Sequence, residues 1–215
     1  MQKLHAALAC LLLAAPTNAV SQQILFGDGW KEQRFSMFSS NRFSLNGDTL
    51  VVQSDDTVSL MWASLPQSMW NKRRANWDWT VERSVPATNL TKKGGDDRNL
   101  SLYFVFLPEN ASQDARTKGV MALLDNPDVR VLMYVWGGAH TVGQVLPSPF
   151  LGARGRSIIR QAAGTGSAEE TVDLAQDHRR AFGEEPQNLV GIAVSSDSDD
   201  TGSQVFARIS RLEIE

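Results

Sequence analysis

The chain of 215 residues carries 21 Lys and Arg against 24 Asp and Glu, a formal net charge of −3, and 42% of its residues are hydrophobic. That apolar content supplies a core and excludes wholesale disorder, while the mixed charge leaves no electrostatic footprint for nucleic acid. No stretch after residue 19 approaches about 18 consecutive apolar residues, so a membrane-spanning helix is not expected there.

The chain begins Met-Gln-Lys-Leu-His, runs through apolar residues from Ala6 to Ala15, and reaches Pro16-Thr17-Asn18-Ala19. A weakly positive start, an apolar run too short to cross a bilayer, and small residues at Thr17 and Ala19 predict a signal peptide over 1–19, cut after Ala19. Its removal takes Cys10, the single cysteine, with it. The expected product is one domain over 20–215, without thiol or disulfide, exported to the periplasm or secreted.

Short apolar runs separated by turn residues then follow in series. Ile24–Phe26 stops at Gly27-Asp28-Gly29. Phe43–Leu45 and Thr49–Gln53 flank Asn46-Gly47-Asp48, a strong hairpin signal. Val58–Leu65, Trp77–Val85 and Leu100–Leu107 each end at a proline, and Val129–Trp136 ends at Gly137-Gly138. Ser157–Gln161, Leu189–Ser195 and Gln204–Ile214 complete the set. In Arg98–Phe106, Leu100, Leu102, Phe104 and Phe106 share one face; in Val129–Val135, the apolar face is Val129, Val131, Met133 and Val135. Many short alternating strands with Gly and Pro between them predict an all-β, antiparallel sandwich or barrel. One short helix is expected over 174–182. Gly183 follows as its C′ residue, Arg179 and Arg180 sit in its last turn, and either Asp173 with Gln176 or Ser167 with Glu170 forms its capping box.

Asp197-Ser198-Asp199-Asp200-Thr201-Gly202 follows a strand and matches the Asp-x-Asp-x-Thr of haloacid-dehalogenase-like phosphatases, but only 13 residues remain after Gly202, too few for the sheet such an enzyme needs. The same run resembles the start of an EF-hand loop, yet Arg208 stands where the bidentate Glu belongs. A different calcium site built on Asp197, Asp199 and Asp200, joined by Asp96 and Asp97, is one expectation; a solvated hairpin turn is the other.

The six tryptophans all follow residue 19. Trp77 and Trp79 share a strand face, and Trp136 ends a strand beside Tyr134. Aromatic faces stack on sugar rings but also fill cores. Trp136, Tyr134, Trp77 and Trp79, with Asp97 and Arg98, form the candidate ligand-binding set. His140 and His178 have no metal-ligand spacing, and Arg154, Arg156 and Arg160 are read as a solvated strand edge.

An ordered set of segments resembles the bacterial domain family of unknown function numbered 3047. They are Trp77-Asp78-Trp79-Thr80-Val81, Gly95-Asp96-Asp97-Arg98 leading into Leu102–Phe106, Tyr134-Val135-Trp136, Pro147-Ser148-Pro149-Phe150, Asp177–Glu184, and Gly191–Val194 through Gly202. The resemblance implies an exported bacterial protein with a jelly-roll-like sandwich similar to carbohydrate-binding modules, and no known activity. It favours the helix that starts near Leu174. The expected function is a non-catalytic module for glycan or another envelope polymer. The alternatives are a carboxylate-dependent, glycosidase-like hydrolase, with Asp97 and Asp199 as its pair, and an envelope scaffold domain. No certain cofactor is expected beyond possible calcium.

Overall fold

A computed structural model describes residues 21–113 and 118–215. The expected signal peptide and Cys10 lie outside the described residues. Thirteen strands form two sheets: β1 (Gln22–Gln23), β2 (Lys31–Arg34), β3 (Arg42–Asn46), β4 (Thr49–Asp55), β5 (Val58–Ser64), β6 (Arg74–Arg83), β7 (Arg98–Leu107), β8 (Arg130–Trp136), β9 (Val145–Ser148), β10 (Gly152–Gln161), β11 (Gly166–Asp173), β12 (Asn188–Asp197) and β13 (Gln204–Ile214). Among the described residues, three α-helices and one 3-10 helix (Gln67–Met69) interrupt them: α1 (Glu109–Ser112), α2 (Val120–Leu124) and α3 (Leu174–Phe182). One sheet runs β11-β6-β13-β4-β3, with β1 also paired to β13; the other runs β2-β5-β12-β7-β8-β10-β9. The β8–β10 ladder is parallel and the other ladders are antiparallel.

The strand pattern follows local chemistry. The Asn-Gly signal closes the β3–β4 hairpin, with Asn46 opposite Thr49 and Gly47 at φ +63°, a value that suits a residue without Cβ. Pro147 sits within β9, at the open edge of its sheet, where a missing N–H costs no ladder bond. Helix α3 begins and ends as expected: Asp173 accepts from the Gln176 N–H, and Gly183 closes the helix at φ +76°. The other proposed cap, Ser167 with Glu170, lies in β11 instead. Strands β2 and β11 escape the apolar pattern because both are rich in polar residues.

Two apolar layers decide which side chains are available to a partner. Between the sheets, Trp77, Trp79, Leu100, Leu102, Phe104, Phe106, Tyr134 and Trp136 form one core with Val52, Ile209 and Leu212. On the far side of the seven-stranded sheet, Leu60, Trp62, Val105, Leu107, Val131, Met133 and Val135 pack under Val120 and Leu123 of α2. The sheet is therefore apolar on both faces, and the set Val129, Val131, Met133 and Val135, which does share one face as expected, is on the outer one. Arg154, Arg156 and Arg160 lie on β10, which is an inner strand and not an edge. Arg160 pairs there with buried Glu170, its Nε 2.7 Å from Oε2.

Candidate functional site

Strands β7 and β12 are antiparallel neighbours, so the start of one meets the end of the other, and Arg98 is register-paired with Asp197. Two loops converge at this end of the sheet: the Gly94–Asp97 approach to β7, and the Ser198–Ser203 turn that joins β12 to β13. Arg98 Nη1 donates to Asp197 Oδ2 at 2.9 Å, to Asp96 Oδ2 at 3.1 Å and to the Asp96 carbonyl at 3.0 Å. Its Nε donates to Ser101 Oγ and its Nη2 to the Tyr103 hydroxyl, which in turn bonds Ser195 Oγ at 2.9 Å. Gly137 backs this arginine at φ +152°, where an added Cβ would lie 2.9 Å from Arg98 Cβ.

The aspartates around it are crowded. Burial pushes the Asp197 carboxyl up to about 8; Arg98 opposes that, and Asp199 and Asp97 add to it. Burial likewise raises Asp96, against the pull of Arg98 and with the repulsion of Asp200 and Asp97. Burial also raises Asp200. For Arg98, burial works against the charge, and Tyr103, Asp197 and Asp96 outweigh it, so its pKa rises.

Asp97 is fully buried and staples the two loops: Oδ1 accepts from the Asp200 N–H at 3.2 Å, and Oδ2 from the Thr201 N–H at 2.8 Å and the Thr201 hydroxyl. Carboxylate oxygens of Asp97, Asp199 and Asp200 all lie within 4.8 Å of one another. Of the expected metal set, the structure thus brings together Asp199 and Asp200 with Asp97. Asp197 stands beside them with one oxygen committed to Arg98.

From this polar end a cleft of about 620 Å³ extends over the outer face of the seven-stranded sheet. Leu60, Val105, Val131, Met133 and Ala193 are among its lining residues, as are Arg98, Tyr103, Ser195, Asp197, Asp199 and Asp200. Phe35, Met121 and Phe150 also line it and are exposed, so they stand at its rim. A more open depression of about 630 Å³ elsewhere is lined by polar side chains such as Arg42, Gln53, Asp55 and Gln204.

The expected aromatic platform requires correction. Trp77 and Trp79 are each 1% exposed, Tyr134 is fully buried and Trp136 is 4% exposed. Their rings pack on one another between the sheets, with centroids 5.4 Å apart for Trp77–Tyr134 and 5.6 Å for Trp79–Trp136. Their polar atoms, where bonded, are bonded internally: the Tyr134 hydroxyl donates to Asp177 at 2.8 Å and Trp136 Nε1 to the Gly164 carbonyl at 3.0 Å. The physical reason is the two-residue period: in a sheet apolar on both faces, alternation does not say which face is the inner one. Of the candidate ligand residues, only Arg98 lines the cleft; Asp97 acts behind it. Sequence reasoning missed Tyr103 and the rim residues Phe35 and Phe150. Pro149 before Phe150 marks a turn that would display the ring, and that signal was available. The expected hydrolytic pair, Asp97 and Asp199, does come together, but the bonds to Asp97 leave it a structural role.

Residues 28–213 match the family model described as "Protein of unknown function (DUF3047)". No curated protein matches the chain. Among solved structures, the chain is similar to the xyloglucanase domain of NopAA, a type three effector from Sinorhizobium fredii, at 11% identity and TM-score 0.44, covering 93% of this chain and 99% of that one. It is also similar to the family 11 xylanase from Neocallimastix patriciarum, at 13% identity and TM-score 0.43 over 91% and 94% of the two chains. A family 29 carbohydrate-binding module from Piromyces equi has 9% identity and TM-score 0.40 over 92% and 91%. At these scores the likenesses assign no activity.

Proposed function

The chain belongs to the DUF3047 family, whose function is unknown, and from its own geometry we propose that it is an exported, non-catalytic module that holds glycan or another envelope polymer in the cleft on the outer face of the seven-stranded sheet. The observation that carries this is the cleft itself, about 620 Å³ with an aliphatic floor, a charged and hydroxylated end, and exposed aromatic side chains at its mouth. A sugar unit has an apolar C–H face and a rim of hydroxyls. Phe35, Phe150 and the floor suit the first, and Asp199, Asp200, Ser195 and Arg98 suit the second. Export rests on the signal-peptide pattern of residues 1–19.

Binding is preferred to hydrolysis because Asp97, the expected partner of Asp199, is buried and held by three hydrogen bonds from the Ser198–Ser203 turn, away from any substrate. A second reading is favoured by the floor. Leu60, Val105, Val131 and Met133 offer methyl and methylene groups with no ring to stack on, which suits an acylated envelope molecule.

The test is a glycan array followed by calorimetry on the protein from residue 20 onward, with Phe35→Ala/Phe150→Ala and Ala193→Leu as variants of the rim and floor. Binding to a defined glycan class that weakens in both variants is the expected result. Binding that neither variant changes would place the ligand elsewhere. Binding that requires an acyl substituent would select the second reading.

A further inference from the structure

Five carboxylates crowd the end of the β7–β12 ladder: Asp96, Asp97, Asp197, Asp199 and Asp200. Arg98 is the guanidinium bonded among them, and its Nη1 is shared between Asp96 and Asp197. Among the described residues, Asp97, Asp199 and Asp200 make no ion pair with a cationic side chain. Their oxygens lie within 4.8 Å of one another, so an ion at their centre is no more than about 2.8 Å from each, and a small inward movement brings all three to a calcium–oxygen distance of about 2.4 Å.

A second observation points the same way. Asp197 is 6% exposed, and its Oδ1 is buried without any hydrogen-bond partner, although its carboxyl stands next to that of Asp199. A buried carboxylate oxygen with no donor is costly, and an acceptor in that position is satisfied by a cation or by water bound to one. The donors here are all oxygens, the ligand type of hard divalent ions, and they come from two loops and not from one rigid helix.

We propose that Asp97, Asp199 and Asp200 bind a calcium ion that ties the Gly94–Asp97 loop to the Ser198–Ser203 turn, with Asp197 as its buried neighbour. The ion sits at the polar end of the cleft, because Asp199 and Asp200 line that cleft too. The site shares Asp199 and Asp200 with the sugar contacts proposed above, but its test reads metal binding alone and does not require a glycan.

The test uses the protein from residue 20 onward, stripped of metal, with calcium titrated calorimetrically and thermal unfolding followed with calcium or with chelator. Calcium is expected to bind in the range of about 0.1–1 mM, as in extracellular modules, and at about 10 mM to raise the melting temperature by about 5 °C. Asp199→Asn and Asp200→Asn, on exposed side chains that leave the Asp97 staple in place, are each expected to weaken binding at least ~10-fold. Glu169→Gln, an exposed carboxylate on β11, should bind as the parent does. No binding heat together with no melting shift would overturn the site, as would unchanged affinity in both Asn variants. Equal binding of magnesium would overturn the choice of calcium.

Discussion

Arg98 and Asp197 face each other across the β7–β12 ladder, Nη1 to Oδ2 at 2.9 Å, with side chains only 14% and 8% exposed. A charge pair this sheltered is held by geometry as much as by attraction, since each partner loses its water. The Ser101 and Tyr103 hydroxyls accept from the arginine's Nε and Nη2, so the pair is one part of a bonded cluster at the head of the cleft.

Removing the arginine should therefore be costly. Arg98→Met leaves Asp96 and Asp197 buried without their cation and is expected to destabilise the fold by about 3–5 kcal/mol, read from urea unfolding at pH ~9, above the raised Asp197 pKa. A loss below about 1 kcal/mol would mean that water reaches these carboxylates freely.

The indoles are structural. Trp77→Ala opens a large cavity between the sheets and should cost about 3–5 kcal/mol. Trp77→Phe should cost much less, because Trp77 Nε1 has no hydrogen-bond partner to lose. Equilibrium unfolding of the two variants side by side gives the comparison.

The rim residues should behave in the opposite way. Phe35 and Phe150 are 51% and 60% exposed, so alanine at both positions should change stability by no more than ~0.5 kcal/mol. Ligand affinity is expected to fall at least ~10-fold, about 1.4 kcal/mol. Chemical unfolding and calorimetry on the same preparation separate the two effects.

His178 makes the fold sensitive to acid. It is fully buried between Phe106 and Phe182, and its Nδ1 lies 2.9 Å from the Glu184 carbonyl. Burial lowers its pKa; the Glu184 carbonyl and carboxylate oppose this, while Arg130 and Arg73 add to it. The unfolded chain takes up this proton near pH ~6.5 and the folded chain only at lower pH, so the contribution of His178 to stability is lost as pH falls below about 6.5. Unfolding at pH ~5 and ~7.5 should show that loss, and His178→Phe should reduce the difference.

Much of the architecture was legible in the residues. Proline and glycine marked the ends of most strands, Asn46-Gly47 closed its hairpin, and the α3 limits followed from Asp173 and Gly183. Those features are local: φ preferences, capping oxygens and side-chain period act within a few residues. Polar strands such as β2 and β11 gave no such signal, because their place in a sheet depends on the neighbour they pair with.

What only the tertiary structure decided is which face of each strand looks inward and which distant loops meet. Alternation in β8 sorts Tyr134 and Trp136 from Val131 and Met133, but the second sheet covers the aromatic side and leaves the aliphatic side to the cleft. In the same way, Asp97 and Asp200 are brought together across 103 positions of chain because β7 and β12 run antiparallel. Sequence spacing carries the period of a strand; sheet pairing and layer packing, both long-range, choose its direction and its company.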